Sequence, residues 1–358
     1  MTPASVQAMI HGGETIARKQ LQALDFRGMD LTGAIFLETD LSGADLSGAK
    51  LDASIFKQCK LAGARLDAAH VDRCAFEHCD ATGIRMVGAT LDGAAFYQCG
   101  LAGAKLDDAN AGVASFSNCT LDRASFVNVL SEALVFSETS LDATDFSTTL
   151  LHKTVFYRAD LRSAIFRGSR FDKAVFSEAK LSGQRFNAQK FLLCQFIDAE
   201  LDGCDFDESM LVQCNFKGAK LEGASLNRVH APQCLFPSAK LDGVGCRGAH
   251  FNQSIWVEVQ ARGADFSDAK LEQCIFQRAS CSHAVFARAD LTYADFSHAD
   301  LRGADLRGAR FLRTKVHRAQ QEGTRYGDRG GLLLNDPDLF AAEEFSARRL
   351  ARPGAYPS

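Results

Sequence analysis

Stepping by five from Leu21 lands on Leu21, Phe26, Leu31, Phe36, Leu41, Leu46 and so on to Phe311 and Val316, 60 positions without an insertion or deletion. Forty-nine of them are Leu or Phe, and the exceptions include Val71, Ala81, Met86, Ala111, Ser131 and Trp256. A period of five suits neither an α-helix, at 3.6 residues per turn, nor a free strand, at two. Two residues before each position runs a second column of small or apolar residues (Ala34, Ala44, Ala49, Ser54, Cys59), without a charge from Leu24 to Thr314. The chain as a whole is 23% charged, so the gap in that column is a sign of burial. Each five-residue unit therefore has two inward and three outward positions.

A longer rhythm sets the cross-section. Between Phe116 and Phe216 a Phe recurs every ten residues, with mostly Leu between, which requires an even number of units per turn. Phe36, Phe56, Phe76 and every twentieth residue to Phe236 form an unbroken column, continued by Trp256, Phe276 and Phe296. The column ten residues away is mixed (Leu46, Leu66, Met86, Leu106, then Phe126), so the period is twenty and each turn has four sides. Stacked rings add offset overlap to simple burial, and each buried Phe is worth ~1.5–3 kcal/mol. Such a chain is one quasi-one-dimensional unit whatever its length.

The units "ADLSG", "AKLEG", "ADLRG" and "ADLTY" follow an A-(D/N)-L-(S/T/R)-G pattern that resembles the bacterial pentapeptide-repeat proteins, over residues 21–320. The resemblance implies an all-β solenoid, a right-handed quadrilateral β-helix with four pentapeptides per coil. Fifteen such coils at the ~4.8 Å strand spacing make a rod about 70 Å long. The expected division is an N-terminal helical cap over 1–20, the β-helix over 21–320, and a loop, helix and tail over 321–358. Thr2 as N-cap, Pro3 in the first turn and Gly12 as stop mark the first helix. Asp336 or Asn335 with Pro337 opens the second, Arg348 and Arg349 fall in its last turn, and Pro353 and Gly354 end it. Leu339, Ala342 and Leu350 share a face of that helix with Phe340 nearby, and Phe345 lies off it. Both helices are expected to cap open coil ends, and the C-terminal one offers an alternative contact for a homodimer.

A formal charge of −4 on 358 residues does not suggest a polybasic nucleic-acid binder. The opening "MTPASVQAMIHGG" has no basic start or long apolar stretch, so no signal peptide is expected, and no run reaches the ~20 apolar residues of a membrane span. All twelve Cys fall on the inward columns. Cys59, Cys79, Cys99 and Cys119 are spaced by twenty and should stack as buried free thiols, which suits a reducing cytoplasm. No spacing matches a zinc motif.

Catalytic motifs are missing: no phosphate loop, dinucleotide fingerprint, HExxH or nucleophile elbow occurs. All nine His lie off the inward columns. His230 and His250 stack without an evident third ligand, and Ser131, the one hydroxyl in the central column, reads as a packing defect. No enzyme, cofactor or metal site is expected. Function is left to the outward positions. One outward column alternates charge (Asp40, Lys60, Asp80; Asp160, Lys180, Glu200, Lys220), and the four faces sum to about −2, −2, +1 and −1. Some members of the resembled family mimic DNA and bind type II topoisomerases, which requires a persistently negative face. A DNA-mimicking regulator or protector of gyrase or topoisomerase IV is therefore the secondary expectation.

The outward column before each Phe is apolar at Ile35, Ile55, Val135, Val155 and Val175, and the column after it adds Tyr157. A second apolar group, Leu130, Leu150, Leu192 and Met210, sits on a neighbouring face. Branched residues suit strands even when exposed, but contiguous exposed apolar residues on soluble proteins usually meet something. The first expectation is a non-catalytic, cytoplasmic scaffold or adaptor that binds another protein here. Its opening, "VQAMIHGGETIARKQLQALDFRGMDLTGA", is similar to some type VI secretion accessory proteins.

Overall fold

A computed structural model describes residues 1–350, with side chains as far as residue 346. It is a β-solenoid of about 16 turns with a short helix at each end. Strands pair in parallel with a register of twenty along nearly all of the rod: Phe36 faces Phe56, Phe76 faces Phe96, and Val135 faces Val155. Four units per turn is therefore the observed geometry. The pairing begins one unit earlier than the Leu and Phe run, with Ile16 opposite Phe36, and its last pair in the register of twenty sets Arg325 and Tyr326 opposite Asp305 and Leu306.

The two inward columns divide the interior between them. Central residues stack along the axis, as in Phe56–Phe76 (4.7 Å between ring centres, 1° between planes). Across the axis the two Phe columns meet edge to face, as in Phe116–Phe126 at 5.7 Å and 87°. Both arrangements suit the ring quadrupole. Small inward residues line the corners, where Ala, Ser, Thr and Cys interchange for a simple reason. A hydroxyl or thiol there donates to the carbonyl 23 residues back: Thr39 Oγ1 to Ile16 O (2.8 Å), Ser169 Oγ to Phe146 O (2.8 Å), Cys59 Sγ to Phe36 O (3.4 Å). The polar atom is satisfied without leaving the interior.

Two residues past each central position the chain turns a corner in the left-handed region, commonly at Gly but also at residues such as Thr148 (φ 60°). The rhythm breaks once on the face that holds Ser131. There the left-handed residue is Gly112 (φ 45°) instead of residue 113, and the pairing of Asn110 and Gly112 with Leu130 and Ser131 slips. A Cβ at position 112 would collide with the Asp92 carboxylate. Ser131 is only half-buried and its Oγ has no partner, so the expected defect is real. It extends over two turns, because Ala111 below it also fails to fill the core.

The ends differ. Helix α1 (Pro3–His11) starts with a capping box between Thr2 and Ser5 and buries Val6 and Ile10 on the first coil. At the other end Leu332 and Leu333 pair with Thr314 and Lys315. Helix α2 (Pro337–Leu350) follows, capped by Asp336, whose Oδ1 accepts from the amides of Asp338 and Leu339 at 3.0 Å each. Contrary to the expected apolar seam, Leu339 and Ala342 are exposed, as is Phe340 nearby, and Phe345, expected off that seam, is exposed too. Glu343 and Glu344 hold α2 instead, against His298, His317 and Arg318 on the last coils. The side chains of Arg348, Arg349 and Leu350, and all of Pro353 and Gly354, lie outside the described residues.

Candidate functional site

The outward columns of the Phe face carry the candidate site, and the structure divides it into three patches. Ile35 and Ile55 are neighbours on adjacent strands, 43% and 39% exposed. Ala75, Ala95 and Ser115 then interrupt the apolar column. Val135, Val155 and Val175 form the second patch on three successive turns, each half-buried. Tyr157 shares a strand with Val155 and points to the same side. Gln195 and Asn215 follow, tied by a 3.0 Å side-chain hydrogen bond. Leu235, Ile255 and Ile275 make the third patch, and Asp295 ends the column.

Charged and polar ladders border these patches. Glu138, Arg158 and Glu178 run beside the valines on successive turns, with Arg158 Nε 2.8 Å from Glu178 and Nη1 3.5 Å from Glu138. Its guanidinium also lies 4.8 Å above the Tyr157 ring. The Glu178 contact comes first in keeping the Arg158 guanidinium above its ordinary pKa. Gln213, Gln233, Gln253 and Gln273 form a chain of amide hydrogen bonds of 2.8–3.0 Å beside the third patch. An apolar centre with a polar rim is the usual anatomy of a protein interface.

The second apolar group does not come together. Leu150 and Met210 lie on the same four-stranded sheet, but Arg170 and Lys190 stand between them, both exposed. Leu130, 63% exposed, borders the Ser131 hollow with Leu150, while Leu192 faces Val212 two turns away. Period-twenty counting places Leu150 and Met210 on one face, and by the same count Arg170 and Lys190 fall between them.

Charge is balanced locally. Arg18–Glu38 (2.9 Å), Lys57–Glu77 (3.0 Å), Glu200–Lys220 (3.1 Å), Glu208–Arg228 (2.7 Å) and Asp268–Arg288 (2.7 Å) each join one turn to the next. These exposed pairs contribute little stability individually, but they erase any extended negative face. The thiols are buried and free. Burial pushes Cys74, Cys204 and Cys274 up to about 12, while hydrogen bonds within the Cys59–Cys119 stack push Cys79 and Cys119 up and draw Cys59 and Cys99 down. None is activated for chemistry by a cation or a helix start. His230 and His250 stand 5.9 Å apart, edge to face. His317 is the histidine that sequence reasoning missed. Although it occupies an outward position, α2 folds over it and buries it.

A family model described as pentapeptide repeat region matches residues 49–126 and 209–286, and one described as pentapeptide repeats matches 20–58, 132–168, 154–187 and 276–308. This chain is a pentapeptide-repeat protein. One of the two stretches left unmatched within 20–308 is 127–131, where the Ser131 irregularity sits. Neither description is of a catalytic family. No curated protein matches. Among solved structures, trypsin-treated QnrB1, a plasmid-mediated fluoroquinolone resistance protein, is 21% identical, covering 58% of this chain and 89% of its own, at a TM-score of 0.28. HetL of the cyanobacterium Nostoc, involved in heterocyst differentiation regulation, is 19% identical over 94% of this chain and 98% of its own, at 0.18. A thylakoid-lumen pentapeptide repeat protein of Arabidopsis thaliana is 23% identical over 34% of this chain and 71% of its own, at 0.20. At these scores the likeness adds nothing beyond the repeat. No helix among the described residues is long and apolar enough to cross a membrane.

Proposed function

We propose that this pentapeptide-repeat protein is a non-catalytic scaffold or adaptor that binds another protein through its Phe-side face. The observation that carries the reading is how α2 sits. The C-terminal segment folds back onto this same face, enclosing a cleft lined by Gln277, Asp295, Ser297 and Lys315 together with Leu333 and Leu339. The face thus holds a helix in cis at one end and presents three rimmed apolar patches along the rest. A helix or strand from a partner is the natural occupant of such a surface. The cytoplasm is the proposed setting, since the interior is rich in free thiols, and a secretion-linked accessory role is the setting that the N-terminal resemblance suggests. A homodimer through α2 would use the exposed Phe345.

The test is Val155→Glu with Val135→Glu, assayed by pull-down from the native cell and by thermal melting of the same variant. Loss of a specific partner with a near-unchanged melt supports the reading, because a charge buried unpaired at an interface costs several kcal/mol. Retention of every partner overturns it for this patch. Regulation of a type II topoisomerase is the competing reading, and the self-neutralising ladders count against it. Gyrase inhibition or protection in a supercoiling assay would reverse the order.

A further inference from the structure

Glu343 reaches from α2 back to the rod and meets two imidazoles there. Its Oε1 lies 3.2 Å from His298 Nε2 and its Oε2 3.3 Å from His317 Nε2. The three ligand atoms all fall within 4.8 Å of one another. Zinc bonds to His nitrogen and carboxylate oxygen are about 2.0–2.1 Å long, so the edges of a tetrahedral site measure about 3.3–3.4 Å. With Oε1 as the ligand atom, the edge to His298 Nε2 already matches, and the other two need to close by at most about 1.5 Å. We propose that His298, His317 and Glu343 form a binding site for a divalent transition metal of the zinc class, which clasps α2 to the side of the rod.

The donor set selects the metal. Two imidazoles and one carboxylate suit zinc and its neighbours, whereas calcium and magnesium prefer oxygen alone. Burial is graded across the site: His317 is closed off, Glu343 is half-buried and His298 is exposed. The fourth position opens onto the cleft under α2, about 380 Å³ in volume, where Asp295, Ser297 and Lys315 line the wall.

Two contacts oppose the metal and define its signature. Arg318 Nε lies 2.7 Å from Glu343 Oε2, though its N–H is not aimed for a hydrogen bond, and another of its nitrogens binds Glu344 at 3.0 Å. Arg318 therefore competes for one carboxylate oxygen and leaves Oε1 for the metal. The Asp336 amide donates to His317 Nδ1 at 3.2 Å, which puts the imidazole proton on Nε2. Coordination through Nε2 moves that proton to Nδ1 and displaces the Asp336 amide, with no proton released. Metal binding is thus coupled to the N-cap of α2.

The test is equilibrium dialysis of the full chain against Zn(II), with cobalt(II) absorption to report geometry. The expected result is about one zinc per chain, tetrahedral cobalt bands, and slower proteolysis before Pro337 when metal is present. Affinity should fall roughly tenfold or more in His298→Ala and in Glu343→Gln. His298 is exposed, so its replacement leaves the fold intact, and circular dichroism checks that. His230→Ala with His250→Ala is the control and should change nothing. Failure to saturate, or binding that survives both His298→Ala and Glu343→Gln, overturns the site. So does binding lost in the control.

Discussion

The two terminal helices sit at opposite ends of the rod, α1 on the first coil and α2 against the Phe-side face, and they are attached by opposite physics. Helix α1 is joined by apolar burial: Val6 is fully buried and Ile10 nearly so, and Gln7 and His11 both reach the Asp30 carbonyl. Helix α2 is joined by charge. Glu343 and Glu344 meet Arg318 and two histidines, Arg318 lies 3.9 Å above the Phe340 ring, and Leu339, Phe340 and Phe345 all stay exposed. The first kind of contact is part of the core and must be lost for α1 to leave. The second exchanges readily with water and solutes. One end of this protein is closed, and the other is latched.

That contrast is most sharply broken at Val6. Val6→Asp should cost several kcal/mol, because it places an unpaired charge in the core. Since each coil contacts only its neighbours, the damage should appear as fast hydrogen exchange over residues 16–40, with the middle of the rod unchanged. Equal loosening at both ends would mean that the rod melts as one piece and that α1 is not a local lid.

At the latched end, Glu343→Gln should loosen the docking of α2, because it removes the charge that meets Arg318 and the two histidines. Proteolysis of residues 337–346 should quicken while the main unfolding transition stays in place. A large fall in that transition would show that α2 belongs to the core after all.

Acid should sharpen the same asymmetry. Hydrogen bonding to Arg307, with Arg325 also near, holds the Asp305 carboxyl down at about 2. A depressed folded-state pKa contributes stability that is fully present above the unfolded value, about pH 4, and is lost as pH falls through 2. Between pH 4 and 2, protection relative to the intrinsic exchange rate should therefore fall around residues 301–326 before it does at the α1 end, where Asp25 is held equally low but is exposed. The smallest effect belongs between the ends. Thr148 is β-branched and sits at φ 60°, a conformation that costs about 1–2 kcal/mol. Gly gives back about 0.5–1 kcal/mol in chain entropy. Thr148→Gly should raise stability by up to about 1 kcal/mol in denaturant titration and touch neither helix.

The solenoid was legible because its cause repeats: a core position every fifth residue is stated sixty times, and one Ser among them does not hide it. Ser131 itself was readable as a fault, but the slip at Gly112 was not, since it depends on where the Asp92 carboxylate goes one turn below. Ile16 was missed because the counting began at the first Leu, although it obeys the same period. Helix α2 was placed correctly and its contact face was not. Amphipathic counting assumes an apolar seam, and Leu339 and Ala342 satisfied that assumption while Glu343 made the contact. His317 and Glu343 are 26 residues apart in no repeating relation, so only the folded chain brings them together.

The register of twenty, broken only locally at Gly112 and Ser131, makes the molecule a graduated ruler between Ile16 and Tyr326. Adding twenty residues anywhere between Ile16 and Tyr326 would slide everything beyond by one division, about 4.8 Å, and leave every mark on its original side. Adding five would rotate the remainder by a quarter turn and carry the Leu235–Ile275 marks off the line they share with Val135–Val175. Those two groups begin five divisions apart, about 24 Å at that pitch. A partner that reads both measures distance and angle at once, and lengthening by whole turns is the only edit such a gauge tolerates.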